Sequence, residues 1–137
     1  MERGGFGRLL RALELDDARE GMHRAIRASV EMNAAHRDVL RALHSMSQLD
    51  SEAVGGAIHR LEHARAEGTA GHARRLADQG VLRPGMTVEE AAAVLWMLTS
   101  FDSFDLLYTG RSLSVDAVAA MLAATADHSL CRDPEPP

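Results

Sequence analysis

Apolar residues recur along most of this chain at intervals of three and four, the period of helices that bury one face. Phe6, Leu9, Leu10 and Leu13 stand at i, i+3, i+4 and i+7 behind Gly4, Gly5 and Gly7, which predicts a flexible start over 1–5 and a short helix over 6–14. Asp16 and Asp17 are suited to accept from the free N–H groups of a following helix, in which Met22, Ile26 and Val30 recur at i, i+4 and i+8 until about Asn33. A third segment, about 35–47, carries the stripe Val39, Leu40, Leu43 and Met46. Asp50 or Ser51 caps a fourth helix with Val54, Ile58, Leu61 and Ala64 on one face, and Leu76 and Ala77 extend that stripe towards Gln79.

Gly80 then suits the residue just past a helix end, and Arg83-Pro84-Gly85 makes a turn. Thr87 and Glu90 have the T-x-x-E spacing of a capping box, so a new helix starts at Val88. From Ala91 to Leu98 this helix is apolar all round, which predicts burial on two sides, against its own core and against something else. After Ser100 comes a cluster of larger side chains, Phe101, Phe104, Leu106, Leu107 and Tyr108, closed by Gly110. Ser112 or Ser114 caps a last helix to about 130, whose Val115, Val118, Ala119, Met121, Leu122 and Ala126 form a broad face of small residues that lets helices approach closely. The tail 131–137 holds three prolines and is expected to fray.

Composition strengthens the helical reading. The chain has 137 residues, 46% of them hydrophobic, but only one Trp, one Tyr and three Phe, so the residues that favour sheets are scarce. The size fits one domain with one core, and the fold class expected is all-α with about six helices. The net charge is −5 and every basic residue is Arg, a balance that lacks the basic footprint of an autonomous nucleic-acid binder. Cys131 is the only cysteine, so neither an intrachain disulfide nor a cysteine zinc cluster is available. With no signal-peptide pattern and no apolar run of spanning length, the expected location is cytoplasmic, with no membrane partner.

Two constellations invite a chemical reading. His59-Arg60-Leu61-Glu62-His63 matches H-x-x-E-H, in which two His at i and i+4 bind zinc and the Glu activates water. A zinc hydrolase on these residues is the enzymatic alternative. A third ligand is still required, for which Glu89 and Glu90 are the available residues, and a solvated helix face is the preferred account. Asp102 and Asp105, at i and i+3, could form an acid–base pair, but no nucleophile or metal set stands beside them and a solvated or capping role is preferred. No catalytic residue, metal or cofactor is assigned.

The run Gly80-Val81-Leu82-Arg83-Pro84-Gly85-Met86-Thr87-Val88-Glu89-Glu90-Ala91-Ala92, followed by Leu95-Trp96-Met97-Leu98-Thr99-Ser100 and by 101–111, resembles the C-terminal region of TetR/AcrR-family transcriptional regulators of bacteria. The resemblance is specific over 80–130 and looser over 20–79, where 36–43 match best. It implies a TetR-like core that senses a small molecule and dimerises, its helices at about 88–108 and 114–130 pairing with their two-fold copies as a four-helix bundle. No helix-turn-helix of that family is found here, so DNA binding by this chain is not expected. Within 1–137 the implied map is effector-pocket helices over 6–79, a turn and cap over 80–87, and dimerisation helices over 88–130.

The expected pocket residues are Met22, Ile26, Met32, Met46, Ile58, Trp96, Phe101, Phe104 and Tyr108, because Met and aromatic side chains suit an apolar effector. The expected dimer residues are Val94, Leu98, Val115, Val118, Ala119, Met121, Leu122 and Ala126. The partners are a second copy, an unidentified apolar small molecule and, as an alternative to self-pairing, a full-length TetR-like paralogue.

Overall fold

The computed structural model describes residues 17–47 and 53–133, so the helix expected over 6–14 lies outside the described residues. Six helices follow one another: α1 (Ala18–Ala35), α2 (Arg37–Ser47), α3 (Ala53–Asp78), α4 (Val88–Leu98), α5 (Phe101–Tyr108) and α6 (Val115–Leu130). The all-α expectation is met.

The stripe Met22, Ile26 and Val30 is buried, as its spacing predicts, and lies in one core with Leu76, Leu95, Phe104, Val118, Leu122 and Leu130. Each such side chain contributes on the order of 1.5–3 kcal/mol by leaving water. The side chain of Asp17 caps α1 by accepting from Arg19 N–H at 2.7 Å. The Thr87–Glu90 capping box starts α4 with both reciprocal bonds, 3.0 and 2.9 Å. Gly80, just past α3, has φ +69, the left-handed conformation in which glycine carries no side-chain penalty.

The long helix expected over about 88–108 is two helices. Helix α4 ends at Leu98, and Ser100 starts α5 by accepting from Ser103 N–H. The physical reason is local: Thr99 donates its hydroxyl back to Leu95 O at 2.7 Å, and Ser100 takes an extended backbone as a cap, the conformation serine prefers to a helix interior.

Helices α1 and α6 lie antiparallel, joined by Arg27–Asp116 at 2.9 Å towards one end and His23–Asp127 at 2.8 Å towards the other. Helices α3 and α4 form a hairpin about the 79–87 turn and pack more extensively than any other pair. That turn is pinned to the end of α6: Arg83 N–H donates to Leu130 O, and Arg132 N–H to Val81 O, both at 2.8 Å. At the start of α1, Ala18 N–H donates to Gln79 Oε1 at 2.7 Å, and Arg19 Nη2 to Arg132 O. At the far end, α2 reaches α5 through Asp105, whose carboxylate accepts from Arg41 Nη2 at 2.7 and 2.8 Å and from the Thr109 hydroxyl at 2.7 Å.

Candidate functional site

Where α1, α3 and the last turn of α4 meet, they leave a small pocket lined by Met22, Ala25, Ile26, Thr69, His72, Leu95 and Thr99. Met22, Ile26, Leu95 and Thr69 are buried and form its floor, whereas Ala25, His72 and Thr99 are half-buried at its rim. Its volume is about 20 Å³, room for roughly one water molecule. The lining is almost all carbon because its hydroxyls are turned to the backbone: Thr69 donates to Arg65 O or Ala66 O, and Thr99 to Leu95 O. His72 has no hydrogen bond among the described residues. Burial, and then the nearby Arg75, hold its pKa below the ordinary value, which favours the neutral imidazole.

Sequence reasoning placed nine residues in a pocket, and only Met22 and Ile26 line this one. Phe101 and Phe104 are buried elsewhere, in an aromatic row: Phe104 stacks on the half-buried Tyr108 at 4.9 Å between ring centroids, and Phe101 stacks on His44 at 5.3 Å. Ile58 is half-buried on α3, and Met32, Met46 and Trp96 are exposed. Trp96 is covered on one side by Arg65, which sits 5.4 Å from the ring centroid, ion-pairs with Glu62 and donates to Trp96 O and to the Thr99 hydroxyl. Thr69 and His72 were missed although a signal was present. They stand at i and i+3 on the buried stripe that continues through Ala73 and Leu76, and polar residues interrupting an apolar stripe are the informative exception.

The dimer assignment also separates, into three groups. Leu98, Val118, Ala119, Leu122 and Ala126 are buried in the chain's own core, Val94 and Val115 are half-buried against it, and Met121 is exposed. The exposed side of α6 instead carries Ala120, Met121, Ala124 and Thr125, with Ala117 half-buried beside them; on the adjacent α4, Ala93 and Met97 are exposed. From 117 to 126, and again from 91 to 99, no residue is ionisable.

The H-x-x-E-H residues sit on α3 with other partners. Glu62 ion-pairs with Arg65, and His63 Nε2 lies 3.0 Å from Glu67 Oε1. Among the described residues no three His, Cys, Asp or Glu side chains come together as metal ligands. Asp102 and Asp105 border an open groove of about 450 Å³ with Leu106, Thr109 and Gly110. Burial raises the Asp105 pKa, but the Thr109 hydroxyl, Arg41 and Arg37 outweigh it and hold the carboxyl below its ordinary value, the opposite of what a general acid needs. Cys131 is buried beside Leu82, and burial pushes its thiol pKa up, away from nucleophilic use. No described helix is long and apolar enough to cross a membrane.

No family model, curated protein or solved structure compared with this chain matches it.

Proposed function

We propose that this chain is a regulatory domain of the TetR-like kind, which pairs with a second copy of itself across α4 and α6 and answers a small molecule taken up between α1, α3 and α4. The observation that carries this reading is the charge-free exposed side of two adjacent helices, Ala93 and Met97 on α4 with Ala120, Met121 and Ala124 on α6. Interface cores are depleted in charge, and small residues let helices of two copies approach closely. A two-fold pairing of this side makes a four-helix bundle. A full-length relative presenting the same side would compete for it. The sensing half of the proposal has its support in the pocket, because Leu95 and Thr99 wall it while Trp96 and Met97, in the same turn of α4, face outward. A ligand that alters this turn acts on the pairing side by its differential affinity for two conformations.

The test is the mass in solution, by light scattering coupled to size exclusion. Wild type is expected at twice the chain mass, and Met97→Glu with Met121→Glu at the chain mass with unchanged helix content. A wild type that stays monomeric at every concentration refutes the pairing. Val118→Glu is a poor substitute, because Val118 is 0% exposed and an unpaired charge there disrupts the monomer itself.

A further inference from the structure

We propose that the chain's own residues 6–14 dock as a helix antiparallel to α1, in the shallow valley between α1 and α3. The inference concerns intramolecular packing and stands whether or not the chain senses a small molecule or pairs with a copy. Its starting point is an apolar stripe that needs a surface: Phe6, Leu9, Leu10 and Leu13 share one face of the helix that the sequence predicts. Only Leu15 and Asp16 separate that segment from Asp17, which caps α1. Three Cα steps span at most about 11 Å, so Glu14 stays close to the first turn of α1. A connection this short returns a helix alongside its neighbour. A helix over 6–14 rises about 13 Å, enough to run along α1 from its start to the neighbourhood of Ala28.

Over that length three sides of α1 are unsuited to an apolar stripe. Met22, Ile26 and Val30 face the core. Arg19, His23 and Arg27 reach Asp127 and Asp116 of α6. Glu20, Arg24 and Glu31 are charged and exposed. The fourth side carries Gly21, Ala25, Ala28 and Met32, at i, i+4, i+7 and i+11, all uncharged and all half-buried or exposed. This side looks onto α3, since the Arg75 Nη1 atom lies 3.3 Å from where a Cβ on Gly21 would stand. Across the valley α3 presents Gly68 and Gly71, each with nothing within 4 Å of where a Cβ would stand. Glycine is a poor residue for a helix interior, and close approach of another helix accounts for two of them in the middle of α3.

In antiparallel register Leu13 falls near Gly21, Leu9 and Leu10 near Ala25, and Phe6 near Ala28. The opposite face of the predicted helix, with Arg8 and Arg11, is left to water. The half-buried rim of the small pocket, Ala25 and His72, then lies beneath the segment. Access to its Met22, Ile26 and Leu95 floor from the valley requires the segment to move.

Nuclear Overhauser contacts in the full chain, with Leu, Ala and Met methyl groups labelled, test this directly. Contacts are expected from the Leu9, Leu10 and Leu13 methyls to those of Ala25 and Ala28 and to the α protons of Gly68 and Gly71. Contacts to the Met97 or Met121 methyls instead would place the segment on the exposed side of α4 and α6 and overturn the proposal. Contacts seen only between two differently labelled copies would overturn it in favour of exchange between chains, and an absence of contacts to any of these groups would overturn it outright. As a second measurement, Leu10→Asp with Leu13→Asp is expected to raise amide exchange at 21–28 and 68–72 about tenfold while α6 keeps its protection. Unchanged exchange at both stretches would equally refute the docking.

Discussion

Replacing Phe104 with alanine is expected to destabilise the fold by about 3–5 kcal/mol, the range for truncating a fully buried Phe. Phe104 is 1% exposed, stacks on Tyr108 at 4.9 Å and lies 5.9 Å from the Phe101 ring, so its loss removes both apolar burial and two ring contacts. Aromatic pairs add about 0.5–1.5 kcal/mol beyond area, which places the cost towards the upper part of that range. Leu106, on the same helix, is 70% exposed, and Leu106→Ala is expected to stay within about 0.5 kcal/mol. For a domain between the small and mid-sized classes, each kcal/mol moves the midpoint by roughly 3–6 °C, so Phe104→Ala lowers it by 10 °C or more while Leu106→Ala leaves it in place. Urea and thermal unfolding, followed by circular dichroism and by emission of the single Trp96, measure both variants. Comparable costs for the two, or a larger one for Leu106, would refute the register of α5 and with it the contact of Asp105 with Arg41 of α2.

Other perturbations probe the remaining joints. The His72 pKa is lowered by folding, so below its unfolded value of about 6.5 the unfolded chain binds more protons. Stability contributed through His72 then declines as pH falls from that value to the folded one, and His72→Gln is expected to flatten that part of the curve of stability against pH. Asp105 has the opposite sign: its lowered pKa stabilises the fold above the ordinary carboxylate value and ceases to do so as pH falls through the folded pKa. Arg41→Ala is therefore expected to reduce the acid-side loss seen in pH-dependent urea melts. Thr87→Ala removes the cap of α4 and is expected to cost about 1 kcal/mol in the same melts; a cost near zero would mean the capping box does not hold in solution. A Cβ on Gly110 would stand 2.4 Å from Leu106 O, so Gly110→Ala is expected to cost on the order of 1–3 kcal/mol and to loosen the end of α5 in hydrogen exchange.

How far the chain could be read in advance depended on whether a feature was local. Met22, Ile26 and Val30, the Thr87–Glu90 box and Gly80 each act within a few residues of sequence, and each stands as its pattern predicts. The break at Thr99 and Ser100 was equally local, but the run of large apolar residues on both sides hid the serine cap. On α6 the difficulty was different. Alanines on all sides give no contrast between inner and outer faces, so Val118, Leu122 and Ala126 were assigned outward when only packing against α1 and α4 determines that they face inward. The pocket was least legible, since Met22, His72 and Leu95 come from three helices and meet only through tertiary packing.

The two ends of the bundle are fastened by different chemistry. At the Gln79–Arg132 end, beside the Arg19 and His23 contacts with Asp127, backbone amides join the turn, α1 and the end of α6, and these amide bonds respond little to dissolved ions. At the other end α2 meets α5 through Arg37 and Arg41 on Asp105, partly exposed charges that salt screens, beside the His44–Phe101 stack. Opening of the native state should thus begin at α2 and propagate inward. Raising the ionic strength would speed amide exchange there first and leave residues 79–83 and 130–132 among the last to exchange.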